Sequence, residues 1–136
     1  MRTNKLFAIG VAATIALAIG IGSTRAEGDA AAGEKVFARC KSCHTAEKGG
    51  NHKVGPNLFG VIGRSCGSTD FSRYSAGMKA CAGKSLAWET ANIGKYIVDA
   101  SKFLEELTGK KGQGMTPQKL DDKQLADVIA YLSSLK

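Results

Sequence analysis

Residues 40–44 read Cys-Lys-Ser-Cys-His, and this C-x-x-C-H stretch decides how the rest of the chain is interpreted. Two thiols three residues apart near the end of a helix can each add to a vinyl group of haem, and the histidine that follows can give the iron an imidazole nitrogen. The motif therefore predicts one covalently bound haem c, attached through Cys40 and Cys43, with His44 as an axial ligand.

Two other kinds of site share part of this motif. A C-x-x-C pair can be a redox dithiol, but such pairs usually lie in a βαβ setting, and residues 27–136 contain no long run that alternates as a strand does. The pair could also be half of a zinc site completed by Cys66 and Cys81, whose wide separation does not form a second zinc knuckle. A module without haem, either a redox dithiol or a zinc site, is therefore an alternative hypothesis for this chain.

The residues before the motif are typical of an export signal. Arg2 and Lys5 precede an apolar run over residues 6–21, and small residues follow it up to Ala26. The run is shorter than the roughly 20 apolar residues that span a bilayer comfortably. We predict a signal peptide over residues 1–26, cleaved after about Ala26, a mature domain over residues 27–136, and location in the periplasm. An uncleaved membrane anchor is the alternative.

Composition limits the remaining part to one small globular domain. The chain has 136 residues, 43% of them hydrophobic and 23% charged, which excludes a large enzyme with its own nucleotide-binding sheet. Cleavage of the leader removes Arg2, Lys5 and Arg25 and no acid, so it lowers the formal net charge from +7 to +4. This modest positive charge favours an acidic partner surface. We expect no binding of nucleic acid, since no basic run is interleaved with aromatic residues.

The spacing of apolar residues predicts an all-α domain with long glycine-rich loops. The predicted elements are a first helix capped by Asp29, a loop over 45–69, a short helix over 70–80 capped by Asp70, a helix over about 86–100 capped by Ser85, a loop over 109–117, and a last helix over 120–135. Long loops in a small domain often wrap a site. We therefore expect a bound group to supply part of the core.

The iron of a six-coordinate haem needs a second axial ligand. His52, Met78 and Met115 are the candidates downstream of the leader. His52 lies close in sequence to His44, and Met78 falls in a helical stretch, where a methionine is more often a core residue. Met115 lies on a glycine-rich loop, whose backbone can adjust to bring the thioether to the iron. We therefore predict Met115 as the second ligand.

These residues together resemble a class I cytochrome c of the mitochondrial-like bacterial branch, over nearly all of residues 28–136. Gly33 and Phe37 in the first helix, with Tyr131 in the last, resemble the family's crossing of the terminal helices. The resemblance implies a small class I cytochrome c fold, in which helices and glycine-rich loops are wrapped around one covalently bound haem.

The resemblance also implies roles for residues around the haem. The segment Gly55-Pro56-Asn57-Leu58 resembles the one whose proline carbonyl accepts the N–H of the axial histidine, so Pro56 would orient His44. Four further residues fall where the family surrounds its haem: the propionate partners Arg64, Tyr74 and Trp88, and the tyrosine beside the methionine ligand, Tyr96.

The chain departs from the family pattern at three places. Ala100 stands where the family commonly has a proline. The stretch from Tyr96 to Met115 is several residues longer than usual, which predicts a larger and looser methionine loop. Cys66 and Cys81 are additional, and we predict that they form a disulfide bracing the loop on the propionate side; the alternative is that both are reduced.

The resemblance implies an electron carrier rather than an enzyme. A monomer with both axial positions filled would shuttle single electrons between a donor and an acceptor, each a membrane-bound or periplasmic redox protein. We expect these partners to dock at the haem edge through the basic residues Lys41, Lys53, Lys110, Lys111 and Lys119. The alternative function is that of a haem protein with an open or labile sixth position that binds a gas or peroxide.

Overall fold

The computed structural model describes residues 27–111 and 114–136. This part of the chain contains five helices, α1 to α5, at Ala30–Phe37, Ala76–Ala82, Thr90–Val98, Ala100–Thr108 and Asp122–Ser134. Strand-like pairing within it is limited to one antiparallel bridge between Ser65 and Ala87, so the expected all-α architecture is confirmed. No helix in these two ranges is long and apolar enough to cross a membrane. The signal peptide predicted over residues 1–26 lies outside the described residues.

The first and last helices cross with their backbones in contact. α1 begins after Asp29, whose carboxylate caps it as predicted by accepting hydrogen bonds from N–H groups of the first turn. At the crossing, a Cβ on Gly33 would lie 1.9 Å from the carbonyl oxygen of Asp127, so only glycine fits there. The ring centroids of Phe37 and Tyr131 are 5.2 Å apart. The crossing that the resemblance implies is present.

Two helices begin later than predicted. α2 is capped by Ser75, because the carboxylate of Asp70 is bound instead to His52, with 2.6 Å between Oδ1 and Nε2. α3 is capped by Glu89, and the predicted start near Ser85 is wrong. Ser85 has a φ of 54°, in the left-handed region, whereas an N-cap residue needs an extended backbone.

The expectation of a looser methionine loop is wrong for residues 100–108, because α4 occupies them. Ala100 is the first residue of this helix, a position that also suits proline. Leu104, one turn further on, is fully buried. The helix ends at Gly109, whose φ of 69° terminates it as a left-handed glycine commonly does.

The two additional cysteines form the predicted disulfide. Cys66 and Cys81 are joined, with their Cα atoms 6.0 Å apart. Cys40 and Cys43 are free. This pairing uses the two thiols that a four-thiolate zinc site would need, so that alternative is wrong.

Candidate functional site

A cavity of about 530 Å³ lies between the C-x-x-C-H turn and the segments that follow it. All nine residues predicted for the site line this cavity: Cys40, Cys43, His44, Pro56, Arg64, Tyr74, Trp88, Tyr96 and Met115. Its volume falls in the range of small-molecule and cofactor pockets, and most of its wall is apolar. The structure therefore brings the whole predicted set to one place.

The C-x-x-C-H turn continues directly from α1. The N–H groups of Cys43 and His44 both donate to the carbonyl of Cys40, at 3.0 and 2.9 Å. This tight turn directs both thiols and the imidazole into the cavity wall, where each side chain is half-buried. Burial raises the pKa of the Cys40 thiol, although the charge of Arg39 acts in the opposite direction.

The imidazole of His44 is oriented by the backbone that follows it. Its Nδ1 lies 2.7 Å from the carbonyl oxygen of Pro56, and because a carbonyl can only accept, Nδ1 carries the proton. Nε2 therefore keeps a free lone pair, the state in which histidine binds a metal. Burial lowers the pKa of His44, which further favours the neutral ring. Gly55 lies against this ring, since a Cβ there would be 2.3 Å from Cε1 of His44.

Two methionines line the cavity. Met78 lies on α2 and is 7% exposed, as a core residue would be. Met115 lies after α4, where the preceding residue is closely packed: a Cβ on Gly114 would lie 2.8 Å from that of Ala100. The Gly114 N–H also donates to Oγ of Ser101, at 3.3 Å. The chain just before Met115 is therefore tied to the start of α4.

His52, the third candidate for the second ligand, is not among the described residues that line the cavity. Its Nδ1 accepts a hydrogen bond from the N–H of Asn57 at 2.9 Å. Its Nε2 donates to the carboxylate of Asp70 at 2.6 Å. Both ring nitrogens are thus already engaged, so His52 has no free lone pair for iron.

Arg64 places a cation in the wall of the cavity. Its guanidinium donates to the carbonyl groups of Asn57 and Phe59, at 3.1 and 3.3 Å. Burial lowers the pKa of Arg64, and the nearby Tyr74 acts against this shift. Within residues 27–111 and 114–136, no carboxylate forms a salt bridge with it. A half-buried cation without a protein counter-ion suits a ligand that carries a carboxylate.

Aromatic residues form the wall next to this cation. Trp88 is 5% exposed, and its backbone N–H donates to the Arg64 carbonyl at 2.9 Å. Its ring packs on Tyr96 and Phe103, with centroids 4.9 and 5.9 Å away. Burial, followed by the effect of Tyr74, raises the pKa of Tyr96 to about 12, although a backbone hydrogen bond from Met115 acts to lower it. The Tyr96 hydroxyl is therefore neutral at physiological pH and lies beside the backbone of Met115.

Sequence reasoning missed Phe103, which packs against the cavity-lining residues Trp88 and Tyr96. It belongs to α4, which was not predicted, and it stacks edge-on against Tyr96 with centroids 5.9 Å apart. The helical spacing of Ala100, Phe103, Leu104 and Leu107 was the available indication.

The five candidate docking lysines are all exposed: Lys41, Lys53, Lys110, Lys111 and Lys119. Nζ of Lys53 donates to the carbonyl of Lys41, which brings these two residues together at the mouth of the cavity. Val54 lines that mouth and is 65% exposed, unusually high for an apolar side chain. This part of the rim is therefore both basic and apolar.

The cavity fits a covalently attached haem on the chemistry of its own residues. Two free thiols flank an imidazole with an available Nε2, and an apolar wall encloses the space beside them. A thioether from either methionine is available, and Arg64 supplies a cation for a propionate. These are the groups that a c-type haem requires.

Comparisons with known proteins agree with this chemistry. Residues 30–136 match the family model described as cytochrome c. The chain is 44% identical to a cytochrome c2 of Rhodospirillum rubrum, over 95% of this chain and 96% of that protein. It is 43% identical to a cytochrome c-550 of Novispirillum itersonii, over 80% and 100%.

Solved structures show the same similarity. The structure of cytochrome c2 from Rhodobacter sphaeroides superposes with a TM-score of 0.72 at 39% identity, covering 80% of this chain and 97% of that one. Cytochrome c2 from Rhodospirillum centenum gives a TM-score of 0.72 at 33% identity, covering 79% and 98%.

Proposed function

The chain belongs to the cytochrome c family, whose members carry one covalently bound haem c and transfer electrons, and on this premise we propose that it is a soluble periplasmic carrier. In this proposal it shuttles single electrons between two redox partner proteins through a haem ligated by His44 and Met115. It acts on no substrate of its own and is therefore not an enzyme.

The contact between His44 and Pro56 is the observation that carries this proposal. It leaves Nε2 of His44 as a donor in the wall of a cavity that also presents two free thiols. The hydrogen bond to Pro56 holds the ring plane and increases the basicity of the donor nitrogen. When bound, haem supplies one-electron chemistry at iron, and the residues around it set its reduction potential.

The thioether of Met115 is the proposed second ligand of the iron. Met115 lies on a loop fixed at Gly114 and contacts Tyr96 through its backbone, whereas Met78 is a buried residue of α2. His44 and Met115 would both hold the iron of a bound haem, and no coordination position would then be left for a substrate. Electrons would therefore move through the edge of the group without a bond being made or broken.

The surroundings of the cavity support burial of the group and binding of its carboxylates. Apolar walls exclude water, which raises the reduction potential, as does a thioether ligand. Arg64 would pair with a propionate, and Tyr74 and Trp88 would donate hydrogen bonds beside it. The hydroxyl of Tyr74 already bonds to Oγ1 of Thr69 at 2.6 Å, so its position is defined.

Export is supported by two independent features. The leader over residues 1–26 has the charged start, apolar run and small residues of a signal peptide. The disulfide between Cys66 and Cys81 is typical of proteins that work in an oxidising compartment. In the bacterial cell such a compartment is the periplasm, where we place the mature domain of residues 27–136.

The basic rim supports transient docking of acidic partners. Lys41 and Lys53 adjoin Ser42 and Val54, which line the mouth of the cavity near Cys43. Lys110 and Lys111 precede the loop that carries Met115, and Lys119 follows it. Complexes of electron carriers are small and weak, so charge steering would set the rate of encounter more than the affinity.

Binding of carbon monoxide distinguishes this function from that of a gas-binding haem protein. The ferrous holoprotein at neutral pH should show no spectral change under carbon monoxide, because Met115 fills the sixth position. Met115→Ala serves as the positive control and should form the complex. Rapid formation of a complex by the unmodified protein would refute the carrier and favour an open sixth position.

A further inference from the structure

The disulfide between Cys66 and Cys81 joins two segments whose neighbouring residues Ser65, Gly67 and Met78 line the haem cavity. We propose that it is a positioning element, which keeps the wall formed by residues 66–81, here called the disulfide wall, closed against small external ligands of the iron. This inference rests on the proposed ligation by His44 and Met115, and it assigns a task to two cysteines that the haem site itself does not use.

The disulfide wall contributes side chains directly to the cavity. Phe71, Tyr74 and Met78 all line it, and Phe71 and Met78 are 8% and 7% exposed. These three residues come from one segment of the chain and form part of the cavity lining. An outward movement of this wall would therefore open a path from solvent to the iron.

The secondary structure of this wall is weak on its own. Residues 67–75 contain neither helix nor strand, and α2 has only seven residues. Its N-terminus is capped by a single side chain, Oγ of Ser75, at 3.2 Å from the N–H of Met78. A helix of this length is marginal without tertiary support. Contacts outside α2 must therefore hold the wall in place.

The first end of the wall is fixed to a rigid part of the fold. The N–H of Cys66 donates to the carbonyl of Leu86 at 2.8 Å. Two residues away on each of the two segments, the N–H of Trp88 donates to the Arg64 carbonyl at 2.9 Å. Cys66 thus belongs to the short antiparallel pairing that also positions Trp88 and Arg64 in the cavity.

The disulfide extends this fixed point to α2. Cys81 lies one turn after Met78 on the buried side of the helix. Next to the disulfide, Gly67 adopts a φ of 63°, and a Cβ there would lie 2.8 Å from the carbonyl oxygen of Met78. The two ends of the wall are therefore in backbone contact as well as covalently joined, so α2 cannot move away from the Trp88 segment.

The disulfide is a permanent clamp rather than a switch. Cys66 is 1% exposed and Cys81 is 0% exposed, so solvent thiols do not reach either sulfur. The tip of the wall has its own attachments: Asp70 binds His52, and Arg73 donates to the carbonyl of Lys53. These attachments remain when the disulfide is removed, so its loss should loosen the wall without detaching it.

Binding of imidazole to the ferric holoprotein tests the clamp. Cys66→Ala/Cys81→Ala should bind imidazole about tenfold more tightly than the unmodified protein, because the open conformation of the cavity becomes more populated. A circular dichroism spectrum and a thermal midpoint above the assay temperature will show that the variant is folded. Equal imidazole affinity in the folded variant and the unmodified protein would overturn the proposal.

Val128→Ala is the matched control for general loss of stability. Val128 is 2% exposed at the α1–α5 crossing and is not among the described residues that line the cavity. This variant should unfold at lower temperature while its imidazole affinity stays within twofold of the unmodified protein. A similar gain of affinity in Val128→Ala would mean that any destabilisation opens the cavity, which would also overturn the proposal.

Hydrogen exchange in the unmodified holoprotein provides a second test that needs no variant. Amides of α2, such as the Lys79 N–H bonded to the Ser75 carbonyl at 2.9 Å, should be protected to a similar degree as those of α3. Exchange of α2 as fast as an exposed loop would contradict a clamped wall.

The two proposals can fail separately. If the carbon monoxide test refutes the ligation, the proposed function fails. Unchanged imidazole affinity in the double variant, with the ligation intact, refutes the clamp alone.

Discussion

Nδ1 of His44 lies 2.7 Å from the carbonyl oxygen of Pro56, and this contact determines which nitrogen of the ring is available to iron. It depends on a tight approach of the backbone, because Gly55 packs directly on the imidazole. The residues between the C-x-x-C-H turn and Pro56 therefore do more than connect two parts of the fold. They hold the donor ring in the tautomer that leaves Nε2 free to act as a ligand.

Gly55→Ala should displace the His44 ring. The added Cβ would lie 2.3 Å from Cε1 of His44, so the ring or the backbone must move. We expect the free energy of unfolding of the holoprotein to fall by about 2 kcal/mol or more, measured by urea denaturation. Gly83→Ala is the control, because its Cβ would meet only the Ala80 carbonyl oxygen at 3.4 Å and should change stability by less than about 0.5 kcal/mol. Equal effects of the two substitutions would contradict this account of Gly55.

Asp127 should make the stability of the α1–α5 crossing depend on pH in acid. Its carboxylate accepts hydrogen bonds from Nζ of Lys123 at 2.7 Å and from the N–H of Asp29 at 2.8 Å, and these bonds lower the pKa of Asp127. A carboxyl group whose pKa is lowered in the folded state stabilises the fold above its unfolded pKa of about 3.9, and this stabilisation is lost as pH falls through the folded value.

Thermal midpoints of the unmodified protein and of Asp127→Asn, measured between pH 2 and pH 7, will check this prediction. The two curves should differ most above about pH 4 and converge in stronger acid. Glu105→Gln, an exposed position on α4, is the control and should give a curve parallel to that of the unmodified protein. A constant gap between the unmodified protein and Asp127→Asn at every pH would show that Asp127 does not contribute in this way.

Arg64→Met should lower the reduction potential. A positive charge beside the haem favours the reduced iron, and Arg64 has no carboxylate salt-bridge partner in the described part of the chain. Its removal should lower the midpoint potential by roughly 50 mV, the order expected for one charge at short range in a partly screened site. Lys35→Met removes the same charge from the exposed surface of α1 and should shift the potential by much less. A potential unchanged in Arg64→Met would argue against a role at the propionate.

Electron transfer to a partner should slow steeply as ionic strength rises. We propose that the basic rim steers an acidic partner to the cavity mouth, and salt would screen this attraction over a distance of about 10 Å at 0.1 M. Lys53→Glu should lower the second-order rate constant at low salt by about tenfold, measured by stopped flow with a purified acidic redox protein. Lys84→Glu is the matched control, because it makes the same change of charge at an exposed position that is not among the described residues lining the cavity. Electron-transfer rates that do not vary with salt would contradict the proposed role of the lysines in docking.

Much of this structure could be predicted because its strongest features are local in sequence. The C-x-x-C-H motif predicts the thiols and imidazole without any knowledge of the fold. The resemblance to class I cytochromes c implies the crossing of the terminal helices at Gly33 and Phe37, which stand four positions apart and share one helix face. The cap at Asp29 was also recognisable, because its carboxylate acts on the N–H groups that directly follow it.

The elements that were predicted wrongly depend on long-range contacts. Asp70 has the chemistry of a helix cap, but its partner is His52, from an earlier loop. Ser85 could cap a helix only with an extended backbone, and the return of the chain to pair with residues 64–66 gives it a positive φ instead. α4 was missed although its apolar residues have helical spacing, and that spacing does not reveal that Phe103 packs on Trp88 and Tyr96.

The visible spectrum of the oxidised holoprotein, compared among three proteins, tests the central claim most directly. A weak absorption band at the red end reports an iron–thioether bond, and it should be present in the unmodified protein and in Met78→Leu. It should be absent from Met115→Ala, since we propose that Met115 rather than Met78 ligates the iron. Survival of the band in Met115→Ala, or its loss only in Met78→Leu, would contradict the proposed His44/Met115 ligation.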